Sequence, residues 1–354
     1  MRGHGPRTER LVLKNFDYKK ALVIFVVIAL TFSLMLLLFL PSKKDEAKNT
    51  PQDYEPTLSK KTVYNFLLLG RDNAADLCDV IIIVSFDTQS HKIEALQIPR
   101  DTYASYTSAS YRKLNGATHA LGSADAFADF IEKTLNIPID HCISVNLSTV
   151  EKAVDKLGGV DITINEDMTY NDPYQNLSIN LKAGKHTLNG KQATQFLRYR
   201  AGYARGDLGR LDAQKIFLAS FAKKLLTDSS IYDLAGTALS LLGEIETDIT
   251  ASECLYFISE ISNLKPENIA LMTMPGEDIQ SESGAWYYII NREEAYNVVK
   301  GYFCPTLTEA EFDPDRAFTS IYRQGFDLIY NARGTYKTER YTAESICRDG
   351  INIE

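Results

Sequence analysis

The chain has 354 residues, with 38 Lys plus Arg against 46 Asp plus Glu, a formal net charge of −8 and 45% hydrophobic residues. That much apolar material can bury a core, which excludes collagen-like, low-complexity and wholly disordered classes and leaves one or two folded domains as the expectation.

The charge is unevenly spread. Residues 1–20 hold six basic and two acidic side chains, a local charge of +4. Residues 21–40 carry none, so the remaining −12 falls on residues 41–354. As a helix, the uncharged run ALVIFVVIALTFSLMLLLFL reaches across about 30 Å of hydrocarbon. It is longer than the roughly 7–15 apolar residues of a cleaved signal peptide, and no A-x-A site follows it. An uncleaved signal anchor is expected, a single-pass transmembrane helix across the cell membrane and its lipid bilayer. Basic charge before the span, against balanced charge after it, predicts a cytoplasmic basic tail and an extracellular remainder. An exported acidic domain argues against nucleic acid as a partner.

Residues 41–61, rich in Lys, Asp, Glu, Pro and Ser, read as an extracellular linker. Folded sequence begins at Tyr64–Leu69, an apolar run ending at Gly70. Val80–Phe86 and Lys92–Ile98 predict two strands of a hairpin across the turn-prone Asp87–Ser90. Polar loops are expected at Arg71–Asp79 and Pro99–Tyr103. Ser123 is placed to cap a helix whose Ala126, Phe127, Phe130, Ile131 and Leu135 recur at i, i+3, i+4. Ser148 with Glu151 predicts a capping box for a helix ending at Gly158 and Gly159. His141–Leu147 and Val160–Ile164 read as strands. Leu211–Leu226 predicts an amphipathic helix with Phe217, Phe221 and Leu225 on one face, and more helix follows to about residue 263. The mixture predicts an α/β (α+β) fold, a central mixed β-sheet covered by helices, behind the N-terminal transmembrane helix.

Cys78, Cys142, Cys254, Cys304 and Cys347 all lie in the exported part. An odd count demands an unpaired thiol or an intermolecular bridge, and no C-x-x-C is present. Small buried hydrophobes are the expectation for most, with a Cys304–Cys347 bridge left open.

Three segments carry chemistry. In residues 196–214, Arg198, Arg200, Arg205 and Arg210 face Asp207 and Asp212, a net +2 inside an acidic domain. If residues 196–200 are extended, Arg198 and Arg200 share a face. If a helix starts at Asp207, then Asp207, Arg210 and Gln214 fall in about a 60° sector. Planar guanidinium forks match phosphate oxygens, and a solvated face of ion pairs is the plain alternative. The second segment is Ile98–Asp101 (IPRD), followed by Lys113 and Asn115. The third holds Asp72, Asp76 and Asp79, hard oxygen donors that suit Mg²⁺ completed by waters and phosphate, or else turn-forming aspartates.

In this order the segments resemble the LytR-CpsA-Psr family of bacterial cell-envelope proteins. FLLLGRD, DVIIIVSFD, IPRD, KLNGATHALG, VDKLGGVDI, LNGKQATQFLRYR and GDLGR carry the resemblance from about Asn65 to Leu226, and Met274–Gly276 (MPG) extends it to about residue 303. A catalytic domain over 62–303 follows, with 304–354 as a C-terminal extension of unassigned role. The resemblance implies an Mg²⁺-dependent phosphotransferase. Such an enzyme moves an anionic glycopolymer, of teichoic acid or capsular polysaccharide type, from a polyprenyl-pyrophosphate carrier to a peptidoglycan hydroxyl as a phosphodiester. By motif position Asp72 and Asp79 would hold the metal, while Arg100, Lys113, Arg198, Arg200, Arg210 and Gln214 would surround the pyrophosphate. The lipid would fill an apolar cavity between sheet and helices. Arg100 and Arg200 are thereby the catalytic cations. Asp207 either orients or deprotonates the acceptor hydroxyl, or caps its helix and pins Arg210. Asp101 is expected to position neighbouring arginines. Leu77 and Cys78 precede Asp79 where the family often has a basic or hydroxyl residue, and Ala213 stands where an Arg usually precedes the Gln.

Two other readings use the same residues: a non-catalytic binding module for lipid-linked pyrophosphate glycans, and an Mg²⁺-dependent polyprenyl-pyrophosphate hydrolase. A penicillin-binding acyl enzyme is disfavoured, because S-x-x-K occurs at Ser110–Lys113 and Ser220–Lys223 without K-T-G. The five histidines lack metal-ligand spacing.

Overall fold

Strand β1 (Val63–Asp72) sends Leu67 and Leu69 into one core and Phe66 and Leu68 towards the opposite face. A strand apolar on both sides belongs inside a sheet. The structure, a computed structural model, describes residues 61–353 except 73–76, 105–111, 175–176, 229–230, 282–283, 313–327, 330–334 and 337–338. The span read at 21–40, the tail before it and the linker up to residue 60 lie outside the described residues. Among the described residues no helix is long and apolar enough to cross a membrane.

The predicted hairpin forms. β2 (Leu77–Asp87) pairs antiparallel with β3 (Lys92–Gln97), from Ile82↔Gln97 to Asp87↔Lys92. Its turn closes on the Asp87 carboxylate, which accepts the Gln89 and Ser90 N–H groups at 2.9 and 3.2 Å. The expected Arg71–Asp79 loop is shorter than predicted, because the β1–β2 ladder continues to Asp72↔Leu77. β4 (His141–Asn146) lies parallel to β1. The helix after it, α3 (Leu147–Lys156), follows α1 (Ala117–Leu121) and α2 (Ala124–Leu135), the latter capped as expected by Ser123. The α3 cap differs from the expectation. Asn146 accepts the Thr149 N–H at 3.0 Å, and the Ser148 hydroxyl donates to the same oxygen. Asn146 leaves the strand at φ −113, ψ 171, the extended geometry that an N-cap needs, whereas Ser148 is already inside the helix.

β5 (Val160–Ile164) pairs with β8 (Gly184–Leu188), and β6 (Met168–Asp172) with β7 (Leu177–Leu181). Their inward residues pack on α4 (Gly190–Arg198) and α5 (Asp207–Asp228) through Phe196 and Phe217. α5 begins at Asp207, four residues before the amphipathic run. Every residue from Leu208 to Lys215 is buried, so its first turns cross the interior instead of lying on the surface. α6 (Ile231–Leu242), β9 (Glu246–Thr247) and α7 (Ala251–Ile261) supply the expected further helix. β10 (Ile269–Thr273) is parallel to β3. A second sheet holds β11 (Gly276–Ser281), β12 (Trp286–Ile290), β13 (Leu328–Ile329) and β14 (Thr335–Tyr336), and α8 (Arg292–Tyr302) follows β12.

The segment after 303 completes the same unit, Ser59–Glu354. β15 (Tyr341–Thr342) pairs with β10 at the sheet edge, and α9 (Ala343–Asp349) packs on α5. The mixed sheet has seven strands in the order β15-β10-β3-β2-β1-β4-β9. One face is covered by α1, α2 and α8 around Leu67, Ile81, Phe127 and Val299, the other by α5 and α9 around Ile82, Ala219 and Ile346. None of the five cysteines forms a disulfide among the described residues. Cys304 packs against the first core and Cys347 against the second, so the sheet separates the two sulfurs of the bridge left open above. Ile346 is 3% exposed. Ile346→Ala is expected to cost about 2–4 kcal/mol, read as a lowered urea midpoint with unchanged m-value.

Candidate active site

A β-bulge begins the site. Gly70 pairs with Val80 and Arg71 with Cys78, which leaves Asp79 as the extra residue of β2. Such a bulge re-aims the side chain it carries. Arg100 is held by the turn after β3, where the Thr102 hydroxyl donates to the Pro99 carbonyl at 2.6 Å. The Asn115 N–H donates to the Arg100 carbonyl at 2.9 Å and ties the KLNGA segment to it.

From there a chain of alternating charge runs inward. Arg100 Nη1 donates to Asp79, and Arg100 Nη2 lies 3.3 Å from Asp207 Oδ1. Arg210 Nη2 lies 3.0 Å from the same Oδ1 and donates to Oδ2 at 3.2 Å. Side-chain exposure falls from 39% at Asp79 through 17% at Arg100 and 16% at Asp207 to 6% at Arg210, so the chain descends from mouth to floor. Burial opposes the Arg100 charge, yet Asp207, Asp79 and Asp101 outweigh it and hold its pKa above the usual arginine range. For Arg210 burial wins over Asp207, with Arg100 adding repulsion, and its pKa is lowered. Arg100 Nε and Arg210 Nε are buried and have no hydrogen-bond partner among the described residues. An unfilled buried donor costs about 1–3 kcal/mol, and these two belong to residues that line one cavity, where an acceptor entering it can meet them.

These groups open into a cavity of about 610 Å³. Arg71, Arg100, Arg198, Arg200 and Arg210 line it together with the apolar Leu68, Val80, Ile82, Val150, Phe217 and Leu218. Strand alternation makes the apolar wall, since Leu68, Val80 and Ile82 face away from the core that takes Leu67, Ile81 and Ile83. At Gly70 an added Cβ would stand 2.8 Å from the Val80 Cβ, so the bulge and this wall need glycine there. The shape suits a long apolar chain with an anionic head.

Arg198 and Arg200 reach the cavity by a different route from the shared strand face considered above. Arg198 ends α4, and Tyr199 turns extended at φ −66, ψ 134. Tyr199 is buried edge-on against Tyr203 at 5.3 Å, which anchors the loop that presents Arg200. Arg210 and Gln214 both line the cavity from α5. Lys113 is not among the lining residues. Its ammonium pairs with Asp101 at 2.8 Å and sits over the Tyr287 ring, so the contact partner of Asp101 is a lysine. Asp72 ends β1 opposite Leu77, and its side chain, like Asp76, lies outside the described residues. Among the described residues no three His, Cys, Asp or Glu side chains gather as a metal cluster. Mg²⁺ needs only one or two carboxylates when water and phosphate fill its octahedron, and the partly exposed Asp79 beside the arginines is a donor of that kind. The sequence reading missed Arg71, which lines the mouth and pairs with Glu246 at 2.5 Å, although it adjoins the singled-out Asp72.

A family model described as the LytR_cpsA_psr family matches residues 38–302. TagU of Oceanobacillus iheyensis, a polyisoprenyl-teichoic acid–peptidoglycan teichoic acid transferase, is 30% identical over 267 residues, 73% of this chain and 81% of the relative. Among solved structures, B. subtilis TagV is alike in fold with a TM-score of 0.60 at 24% identity, over 70% of this chain and 100% of that one. TagT bound to LIIa-WTA aligns with a TM-score of 0.57 at 26% identity, over 68% of this chain and 89% of that one.

Proposed function

The chain belongs to the LytR_cpsA_psr family, and from that membership and its cavity we propose that it is a glycopolymer–peptidoglycan phosphotransferase. Its donor is a polyprenyl-pyrophosphate-linked glycopolymer of teichoic acid type, and its acceptor a peptidoglycan hydroxyl. The observation that carries this reading is one cavity joining an apolar body to an arginine mouth with two unfilled buried Nε donors. The polyprenyl tail occupies the apolar body, which leaves the pyrophosphate among Arg100, Arg198, Arg200 and Arg210, with the amide of Gln214 beside it. The domain acts outside the cell membrane, anchored by residues 21–40 with the N-terminus in the cytoplasm.

The acceptor oxygen attacks the phosphorus that bears the glycan. A new P–O bond forms as the P–O–P bridge breaks, and its electron pair leaves on polyprenyl phosphate. Charge builds on the transferring and leaving oxygens, where preorganised guanidiniums stabilise it without reorganising. Asp79, with Asp72, would hold Mg²⁺, which would supply further positive charge to those phosphate oxygens. Asp207 spaces Arg100 and Arg210. Its Oδ1 lies near both cations but accepts no hydrogen bond with good geometry among the described residues, and it takes the hydroxyl proton as the P–O bond forms.

Full-length protein in detergent with Mg²⁺ is expected to release polyprenyl phosphate from the lipid-linked glycan and to join the glycan to peptidoglycan oligomers. Polyprenyl phosphate without a new glycan linkage would mean a hydrolase, and neither product would mean a binding module. EDTA is expected to stop both products, and Mg²⁺ to restore them.

A further inference from the structure

Directly beneath the cavity a lysine is wholly enclosed. Lys215 has no exposed side-chain surface and pairs with Asp212 at 2.8 Å, three residues back on α5. Lysine is almost never fully buried unless paired, and nothing in the transfer step uses this one. Burial lowers its pKa while Asp212 pulls it back.

Its hydrogen bonds lead to the cavity. Lys215 Nζ donates to the Thr273 hydroxyl on β10 at 3.1 Å. That hydroxyl donates to Gln97 Oε1 on β3 at 3.4 Å, and Gln97 Nε2 donates to Gln214 Oε1 at 3.3 Å. Thr273, Gln97 and Gln214 are 0%, 1% and 3% exposed, so bulk water does not compete for these contacts. An ammonium has three donors and no acceptor, so Thr273 spends a lone pair on it and turns its own hydrogen to Gln97. Gln97 then faces Thr273 with its oxygen and Gln214 with its nitrogen. The orientation of both amides, which their own shapes leave open, is thereby coupled to the buried charge through the Thr273 hydroxyl.

We propose that Lys215 is a positioning residue that, through Thr273 and Gln97, holds Gln214 with its carbonyl inward and its NH₂ towards the cavity, as a hydrogen-bond donor to an anionic lipid headgroup. A reversed Gln214 would offer its carbonyl to phosphate oxygens and repel them. The inference rests on the phosphotransferase reading and adds how the site selects an anion.

The test uses the full chain in detergent and two ligands with the same tail, polyprenyl pyrophosphate and the uncharged polyprenol. Thr273→Val removes the relaying hydroxyl at nearly constant shape. It is expected to weaken polyprenyl pyrophosphate about 10- to 100-fold, the worth of a hydrogen bond to a charged group, with polyprenol affinity unchanged. Thr273→Ser should restore the wild-type value. Gln97→Glu, which offers oxygens to Gln214 and draws its NH₂ inward, should show the same selective loss should the valine variant fail to fold. Equal weakening of both ligands, or wild-type pyrophosphate affinity in Thr273→Val and Gln97→Glu, overturns the proposal. A wild-type protein that binds the two ligands equally well would overturn the cavity assignment itself.

Discussion

Arg200→Ala is expected to lower glycan transfer about 100- to 1,000-fold, the loss typical of one preorganised donor aimed at developing charge. The same substitution is expected to leave the melting temperature within about 2 °C, as exposed positions usually change stability by under about 0.5 kcal/mol. The two halves rest on different observations. Arg200 lines the mouth of the cavity but is exposed on the turn after α4. Unlike Arg100 and Arg210, it makes no ion pair or side-chain hydrogen bond among the described residues, so little of the fold depends on it. Its buried neighbour Tyr199 carries the packing and is untouched. Because the guanidinium meets charge that grows during transfer, the loss should appear in kcat more than in KM. Release of polyprenyl phosphate, with a thermal melt of the same sample, checks both halves. Retention of more than a tenth of the activity would remove Arg200 from the phosphate cradle.

The residue types of this site were visible in the sequence, and its depth was not. Arg198, Arg200, Arg210 and Gln214 stand out as a reversal of sign in an acidic domain, and the structure brings them to one cavity. The hairpin of β2 and β3 was legible because period-two alternation and a turn-forming Asp87 agree on one register. At the start of α5 the plain alternative of a solvated ion-paired face fails, because Arg210 and Asp212 are buried, as is Lys215, which the sequence did not single out. Burial of such residues depends on partners far along the chain, Asp79 for Arg210 and Thr273 for Lys215, and helical periodicity cannot report them. Likewise β13, β14 and β15 are two residues each, too short to show alternation, so the C-terminal segment gave no sign that it closes the sheet edge. Lys113 shows the converse. Its motif position placed it near the pyrophosphate, while its ammonium is spent on Asp101 and the Tyr287 ring.

Asp207→Asn is expected to abolish transfer and to destabilise the fold by about 3 kcal/mol, the low end for breaking a buried ion pair because Asp207 and Arg100 keep some solvent. The side chain keeps its shape and loses its charge. Arg210, buried to 6% exposure and already repelled by Arg100, would retain only the more distant Asp79 and Asp101 against the cost of its desolvation. A negative charge would also leave the first turn of α5, where the helix dipole favours it. For a unit of this size the melting temperature should fall by roughly 5–10 °C. An anion is then the missing partner, so inorganic pyrophosphate should raise the melting temperature of Asp207→Asn by more than that of the wild type, whose cations are already half satisfied. Activity should not return with it, since the ion restores charge balance but supplies no Oδ1 for the hydroxyl proton. An Asn variant as stable as the wild type would show that this carboxylate does not hold the two arginines. Equal pyrophosphate shifts in the two proteins would show that the anion does not bind between them.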